Sequence, residues 1–169
     1  MTPVHLPAGL PAWTLRAATA LTCAATALVL TANGVQGIAL ALFALVSLAS
    51  VVVPASAAPA LVIGLAAITV VFTEGDPLRP TVLALIPLLH LVHLTTALAA
   101  LTPPRSRLHP SALRAPAKRF ALTQALTFTL VGVTALLPTG GTDPVVEAAG
   151  LITAVVLAVA AVVLLRPGS

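Results

Sequence analysis

Two histidines, His90 and His93, lie three residues apart in an apolar stretch that reads LLHLVHL. A spacing of three places both imidazoles on one side of a helix. Histidine gains or loses a proton near neutral pH, and its ring nitrogens also bind metals. Pro87 lies just before the pair and cannot bond to the Leu83 carbonyl, so a kink is predicted beside the histidines. The pair is therefore the first candidate for chemistry.

The composition indicates that lipid surrounds the chain. Of its 169 residues, 59% are hydrophobic and 7% are charged, and the mean hydropathy is +1.13. A water-soluble domain has about 25% charged residues, so this chain cannot cover a surface exposed to water. The net charge of +4 does not indicate nucleic-acid binding, because five of the eight basic residues concentrate in one stretch, 101–120.

Apolar segments along the chain have the length of membrane spans, which is about 20 residues for about 30 Å of hydrocarbon. We predict an all-α fold, a polytopic membrane helical bundle of six transmembrane helices in one domain. The spans are predicted at about 12–31, 35–53, 57–73, 80–101, 117–137 and 144–165. Only residues 54–56 separate the second and third spans. A single helix over 35–73 would be about 58 Å long, so we predict two spans with a tight turn, and a re-entrant segment is the alternative.

A basic connector at 102–116 orients the bundle. This connector and the start of the fifth span carry Arg105, Arg107, Arg114, Lys118 and Arg119. Prolines predict an irregular, partly extended connector. Short basic loops between spans stay in the cytoplasm, so both termini are predicted to be cytoplasmic. The connector either sets topology alone or also contacts anionic lipid head groups or an acidic partner.

The predicted location is the cytoplasmic membrane of a bacterium. The chain has seven arginines and one lysine and is rich in alanine, leucine and valine, a composition typical of a GC-rich bacterial genome. The predicted orientation places the carboxylates at the outer edge, away from the basic connector.

Polar residues of neighbouring spans are expected at the depth of the histidines. Counted from the cytoplasmic end of the fourth span, His93 is about 12 Å deep and His90 about 16 Å. Counted from a fifth span that begins at 117, Gln124 is about 10 Å deep and Thr127 about 15 Å. We therefore expect contacts of His93 with Gln124 and of His90 with Thr127. Residues of the first span at overlapping depths complete this predicted polar seam. They are Thr19, Thr22, Cys23 and Thr26.

Three roles are open for the polar seam. Neutral His, Gln and Thr side chains hydrogen-bond between membrane helices and hold them together. A proton or cation path would use the titration of histidine, without an acidic residue at the same depth. Two histidines on one helix make an incomplete metal or haem site, so neither a metal nor a cofactor is predicted.

Catalysis is not expected from this sequence. General acid–base chemistry needs a positioned pair of titratable groups, and the carboxylates are predicted at the outer edge. Ser47 and Ser50 of the second span are expected to bond to the backbone. Cys23 has no motif around it and is expected to pack as a small residue.

Small residues recur at the spacing of close helix contacts, as in Ala60-xxx-Gly64 and Gly150-xxx-Ala154. Such a pattern packs a bundle internally or joins it to another membrane protein. We predict a non-catalytic subunit or scaffold of a membrane assembly, with another membrane protein or a second copy as its partner. The alternative is a small carrier of protons, cations or a solute that uses the polar seam.

Overall fold

The structure, a computed structural model, describes residues 9–73, 76, 78–103 and 105–136. This part of the chain is mostly helical, which confirms the predicted helical class. The helices are α1 (Trp13–Ala32), α2 (Ile38–Val52), α3 (Ala58–Val71), α4 (Pro80–Leu83), α5 (Leu85–Leu101) and α6 (Arg114–Ala135). The other elements are the strands β1 (Leu10–Pro11) and β2 (Arg107–Leu108) and a 3-10 helix (Pro110–Leu113).

Two helical segments, Trp13–Ala32 and Pro80–Leu101, are long and apolar enough to cross a membrane. Helices α2 and α3 are also apolar but have 15 and 14 residues. At 1.5 Å per residue they are about 22 and 21 Å long, which is less than the ~30 Å of a hydrocarbon core. The sixth predicted span and the Gly150-xxx-Ala154 pattern lie outside the described residues. The six-span count and the cytoplasmic ends therefore stay predictions.

Helices α2 and α3 are separate, with a tight turn between them. The Ser56 hydroxyl donates to the Val53 carbonyl at 2.7 Å and accepts the Ala58 N–H at 3.2 Å. Pro59 lies in the first turn of α3, where its missing N–H is not needed. Arg16 Nη1 of α1 donates to the Val52 carbonyl at 3.3 Å. This bond places the end of α2 beside the start of α1, so α2 runs back along most of α1.

A break separates α4 from α5 at Ala84. Pro87 has no N–H to donate to the Leu83 carbonyl, and the next bond, from Leu88 N–H to the Ala84 carbonyl, is long at 3.4 Å. The break therefore follows directly from the proline. It lies about one and a half turns before His90.

Two polar contacts join α1 and its C-terminal turn to the α4–α5 segment and fix their register. Thr81 Oγ1 donates to Asn33 Oδ1 at 2.8 Å, and Thr19 Oγ1 donates to Thr95 Oγ1 at 3.0 Å. The contacts are 14 residues apart in both segments, from Thr19 to Asn33 and from Thr81 to Thr95. Because the order of the contacts is reversed between the two segments, α1 and the α4–α5 segment pack antiparallel and keep the same register over about 21 Å.

The apolar core lies among α1, α2, α3 and α5. These four helices contribute its fully buried side chains, of which Leu30, Phe43, Val62 and Val92 are the largest apolar ones. The described part of α6 contributes no buried residue. The described core therefore depends on α1, α2, α3 and α5.

The described part of the basic connector, 102–103 and 105–113, contains a short extended segment between irregular turns. Strand β2 pairs antiparallel with β1, with Leu10 opposite Leu108 and Pro11 opposite Arg107. The Ala12 N–H donates to the Ser106 carbonyl at 3.2 Å and extends this pairing to the start of α1. Helix α6 begins at Arg114, three residues before the predicted start at 117. The predicted irregularity is confined to the turns around β2.

We predict that the Asn33–Thr81 hydrogen bond stabilises the packing of α1 against the α4–α5 segment, with a coupling energy large enough to measure. A double-mutant cycle of Asn33→Ala and Thr81→Val should give a coupling energy of about 0.6 kcal/mol, with an upper bound near 1.7 kcal/mol. The measurement is unfolding of the purified protein in mixed detergent micelles. Thr31→Val is the matched control, because the Thr31 hydroxyl donates to the Leu28 carbonyl of its own helix. Equal coupling of Asn33 to Thr31 and to Thr81 would contradict the proposed register contact.

Candidate functional site

His90 forms the polar contact between α5 and α6. Gln124 Nε2 donates to His90 Nδ1 at 2.8 Å. The Phe120 ring packs against the imidazole with centroids 4.8 Å apart and planes tilted by 47°. Gln124 Oε1 is buried and has no hydrogen-bond partner in the described part of the chain. The amide therefore has one acceptor left for a further donor.

The predicted pairing of the seam was wrong by about one helical turn. The structure pairs Gln124 with His90, not with His93, and Thr127 Oγ1 donates to the Thr123 carbonyl of its own helix. The error came from the start of α6. Counted from Arg114, Gln124 is about 15 Å deep, which matches the ~16 Å of His90.

His93 lies in a different environment from His90. Its exposed side chain lines a groove of about 500 Å³ between α3 and α5, together with Pro59, Ile63 and Thr96. Positions three apart on a helix differ by about 60° around its axis. This angle is enough to direct one imidazole to α6 and the other to the α3 side, so the two do not form a single paired site.

The Thr22 hydroxyl forms no hydrogen bond with His90 or His93 in the described part of the chain. Its hydroxyl donates to the Ala18 carbonyl at 2.8 Å within α1. The interhelical hydroxyl of α1 is Thr19, one turn earlier, which meets Thr95. The sequence analysis missed Thr95, Asn33 and Thr81, because a threonine in an apolar helix usually bonds to its own backbone. Their only sequence signal was the equal 14-residue spacing.

Ser47 and Ser50 differ from their predicted role. Neither hydroxyl bonds to a backbone carbonyl in the described residues, and both oxygen atoms are buried. Ser47 and the buried Cys23 line a crevice of about 290 Å³ between α1 and α2, together with several alanines. The expectation that Cys23 packs as a small residue agrees with this position.

The arrangement supports hydrogen bonding and packing more readily than metal chemistry. Among the described residues, no three His, Cys, Asp or Glu side chains lie together as a metal site would require.

The five basic residues of the connector and of α6 are exposed. They are Arg105, Arg107, Arg114, Lys118 and Arg119.

The small residues of α3 form an outward-facing ridge. Ala60 and Gly64 border the groove toward α5 and also a second groove of about 330 Å³ toward α2. A Cβ atom added at Gly64 would have nothing within 4 Å. The glycine is therefore not required by packing within the described chain, and the ridge has room for a close neighbour. We call this surface the α3 ridge.

Comparison with protein-family models, with curated proteins and with solved structures finds no match to this chain.

We predict that Gln124 selects the tautomer of His90. Because Gln124 donates to Nδ1, the neutral imidazole should carry its proton on Nε2. ¹⁵N NMR of histidine-labelled protein measures the tautomer directly, and Gln124→Leu should release this preference and weaken the α5–α6 contact by about 0.6 kcal/mol. Thr127→Val is the control and should leave the spectrum unchanged. A wild-type imidazole protonated on Nδ1 would show that the amide is oriented the other way.

Proposed function

We propose that the chain is a multi-pass protein of a bacterial cytoplasmic membrane and serves as a non-catalytic subunit or scaffold of a membrane assembly. The partner is a transmembrane helix of another subunit, which packs on the α3 ridge. The observation that carries this proposal is the space at Gly64, which is open among the described residues and lies between two grooves.

The outer surface of the helices supports the membrane location. Many large apolar side chains on α1, α2, α3 and α6 are exposed. Soluble monomers rarely expose contiguous apolar patches above a few hundred Å². Such side chains face outward at successive levels, as contact with lipid tails would require. Examples are Leu21, Leu28, Leu45, Leu48, Leu61 and Leu122.

The α3 ridge supports the proposed partner. In lipid, helices associate by close van der Waals packing and interhelical hydrogen bonds, and small residues at the contact let the backbones approach. The Ala60-xxx-Gly64 spacing supplies such a surface on an exposed helix. His93 at the edge of the ridge adds a side chain that can hydrogen-bond to the partner helix.

The second candidate is a small carrier of protons, cations or a solute. The open groove at His93 favours it, because an imidazole in a groove is accessible to a substrate. The separation of the two imidazoles counts against a carrier that uses both histidines, because His90 contacts α6 and His93 faces the groove at α3. A carrier would need to use His93 without the His90–Gln124 contact.

We predict that Gly64→Leu weakens partner binding without unfolding the protein. The new side chain fills space that the partner helix would occupy, and overpacking of this kind costs about 1–3 kcal/mol. That cost lowers affinity roughly 5- to 150-fold. Mild-detergent purification at native expression, with quantitative mass spectrometry, measures the amount of partner bound to each mole of the chain.

Gly132→Leu on α6 is the matched control. Gly132 also has open space around its Cβ position, and the substitution changes helix propensity to the same extent. This variant should keep the partner in full. Recovery of equal partner with both variants, or a wild-type protein that purifies as a monomer, would count against the proposed docking surface. A second copy of the chain in the purified complex would identify the partner as a homo-oligomer.

A further inference from the structure

A pocket of about 160 Å³ lies between the first turns of α1 and the end of α5. Its lining includes Trp13, Arg16 and Thr102. Arg16 is partly buried, and Nη1 donates to the Val52 carbonyl at 3.3 Å. A guanidinium has five N–H donors, so four remain for another acceptor. The pocket therefore presents a fixed cation with spare donors.

The surroundings of this pocket favour an anion. Helix α1 begins here with no acidic residue in its first turn and no side-chain cap, so the positive end of its dipole is uncompensated. Asp76 is the one carboxylate among the described side chains, and it precedes α4 at the other end of the α4–α5 segment. A guanidinium matches the oxygen atoms of a phosphate through paired hydrogen bonds.

The β1–β2 pairing holds further positive charge beside the pocket. The bond from Ala12 N–H to the Ser106 carbonyl places Arg105 and Arg107 next to the start of α1. The pairing is close at Gly9, where an added Cβ would lie 3.0 Å from the Leu108 carbonyl oxygen. The basic residues are thus attached to the pocket by backbone hydrogen bonds. At a membrane surface each basic residue raises the affinity for anionic lipid about fivefold.

We propose that this pocket binds the phosphate of an anionic phospholipid from the cytoplasmic leaflet. Arg16 and the Trp13 indole contact the head group, and Arg105 and Arg107 beside the pocket attract it. Trp13 is 64% exposed at the end of a helix long enough to cross a membrane, a position typical of interfacial tryptophan. A lipid, unlike free phosphate, also covers the exposed Leu101 nearby. This inference depends on the membrane location proposed above.

Trp13 is the single tryptophan of the chain, so its fluorescence reports on this pocket alone. The purified full chain is reconstituted into vesicles that contain either phosphatidylglycerol or phosphatidylcholine brominated near the head group. We expect stronger quenching by the brominated phosphatidylglycerol at equal mole fraction. Arg16→Gln should reduce this excess at least about tenfold, since it removes hydrogen bonds between a charged group and the phosphate.

A second variant covers the case in which Arg16→Gln fails to fold. The double variant Arg105→Gln and Arg107→Gln leaves the Val52 contact intact and should reduce the excess about fivefold for each charge. Arg79→Gln removes one charge at the far end of the α4–α5 segment, about 33 Å away, and should leave the quenching unchanged.

The outcomes separate this site from the membrane location. Equal quenching by the two lipids in the wild type would overturn the site while leaving the protein in the bilayer. Absence of quenching by either lipid would overturn the membrane location itself. Loss of the excess on addition of inorganic phosphate at constant ionic strength would identify free phosphate, and not lipid, as the ligand.

Discussion

The antiparallel register of α1 with the α4–α5 segment is the constraint on which the rest of the structure depends. Two polar contacts, Asn33 with Thr81 and Thr19 with Thr95, fix it at two levels. A single contact would leave the helices free to pivot, whereas two contacts about 21 Å apart define both their direction and their offset. In lipid, where apolar side chains gain little from meeting each other, such bonds give specificity that burial alone does not.

This register determines where the histidines point. At 100° per residue, His90 and His93 lie about 140° and 160° from Thr95 in opposite directions around α5. Because Thr95 faces α1, both imidazoles face away from it, one toward α6 and the other toward α3. The same pair of helices places the start of α1 beside the end of α5, where Trp13, Arg16 and Thr102 form the small pocket.

The helical segments were predictable from the sequence because long apolar runs bounded by prolines and glycines leave few alternatives. Gly34 and Gly37, with φ of 86° and 61°, end the first run as the turn signal at Asn33-Gly34 indicates. The β1–β2 pairing was not predictable, since each strand has two residues and β1 includes a proline. Helix α6 began earlier than predicted because Arg114 and Pro116 belong to its first turn instead of the connector.

The site was predictable in its residue types but not in its pairing. Depth counting along a helix carries the error of the assumed first residue, and three residues at 1.5 Å each are enough to exchange one partner for the next. The choice of His90 over His93 for Gln124 followed from that shift. The roles of Thr19 and Thr95 depend on the rotation of α1 against α5, which hydropathy does not report.

Residues at the two ends of the α1–α5 pair test the central claim, which is that this pair crosses a bilayer with the β1–β2 pairing on the cytoplasmic side. In a Cys23→Ala background, single cysteines replace Gln36, in the exposed turn after α1, and Ala112, in the exposed 3-10 helix. A membrane-impermeant maleimide applied to intact cells should label the cysteine at 36. The cysteine at 112 should be labelled only after the cells are permeabilised. Labelling of the cysteine at 112 in intact cells, or equal labelling of both, would contradict the account.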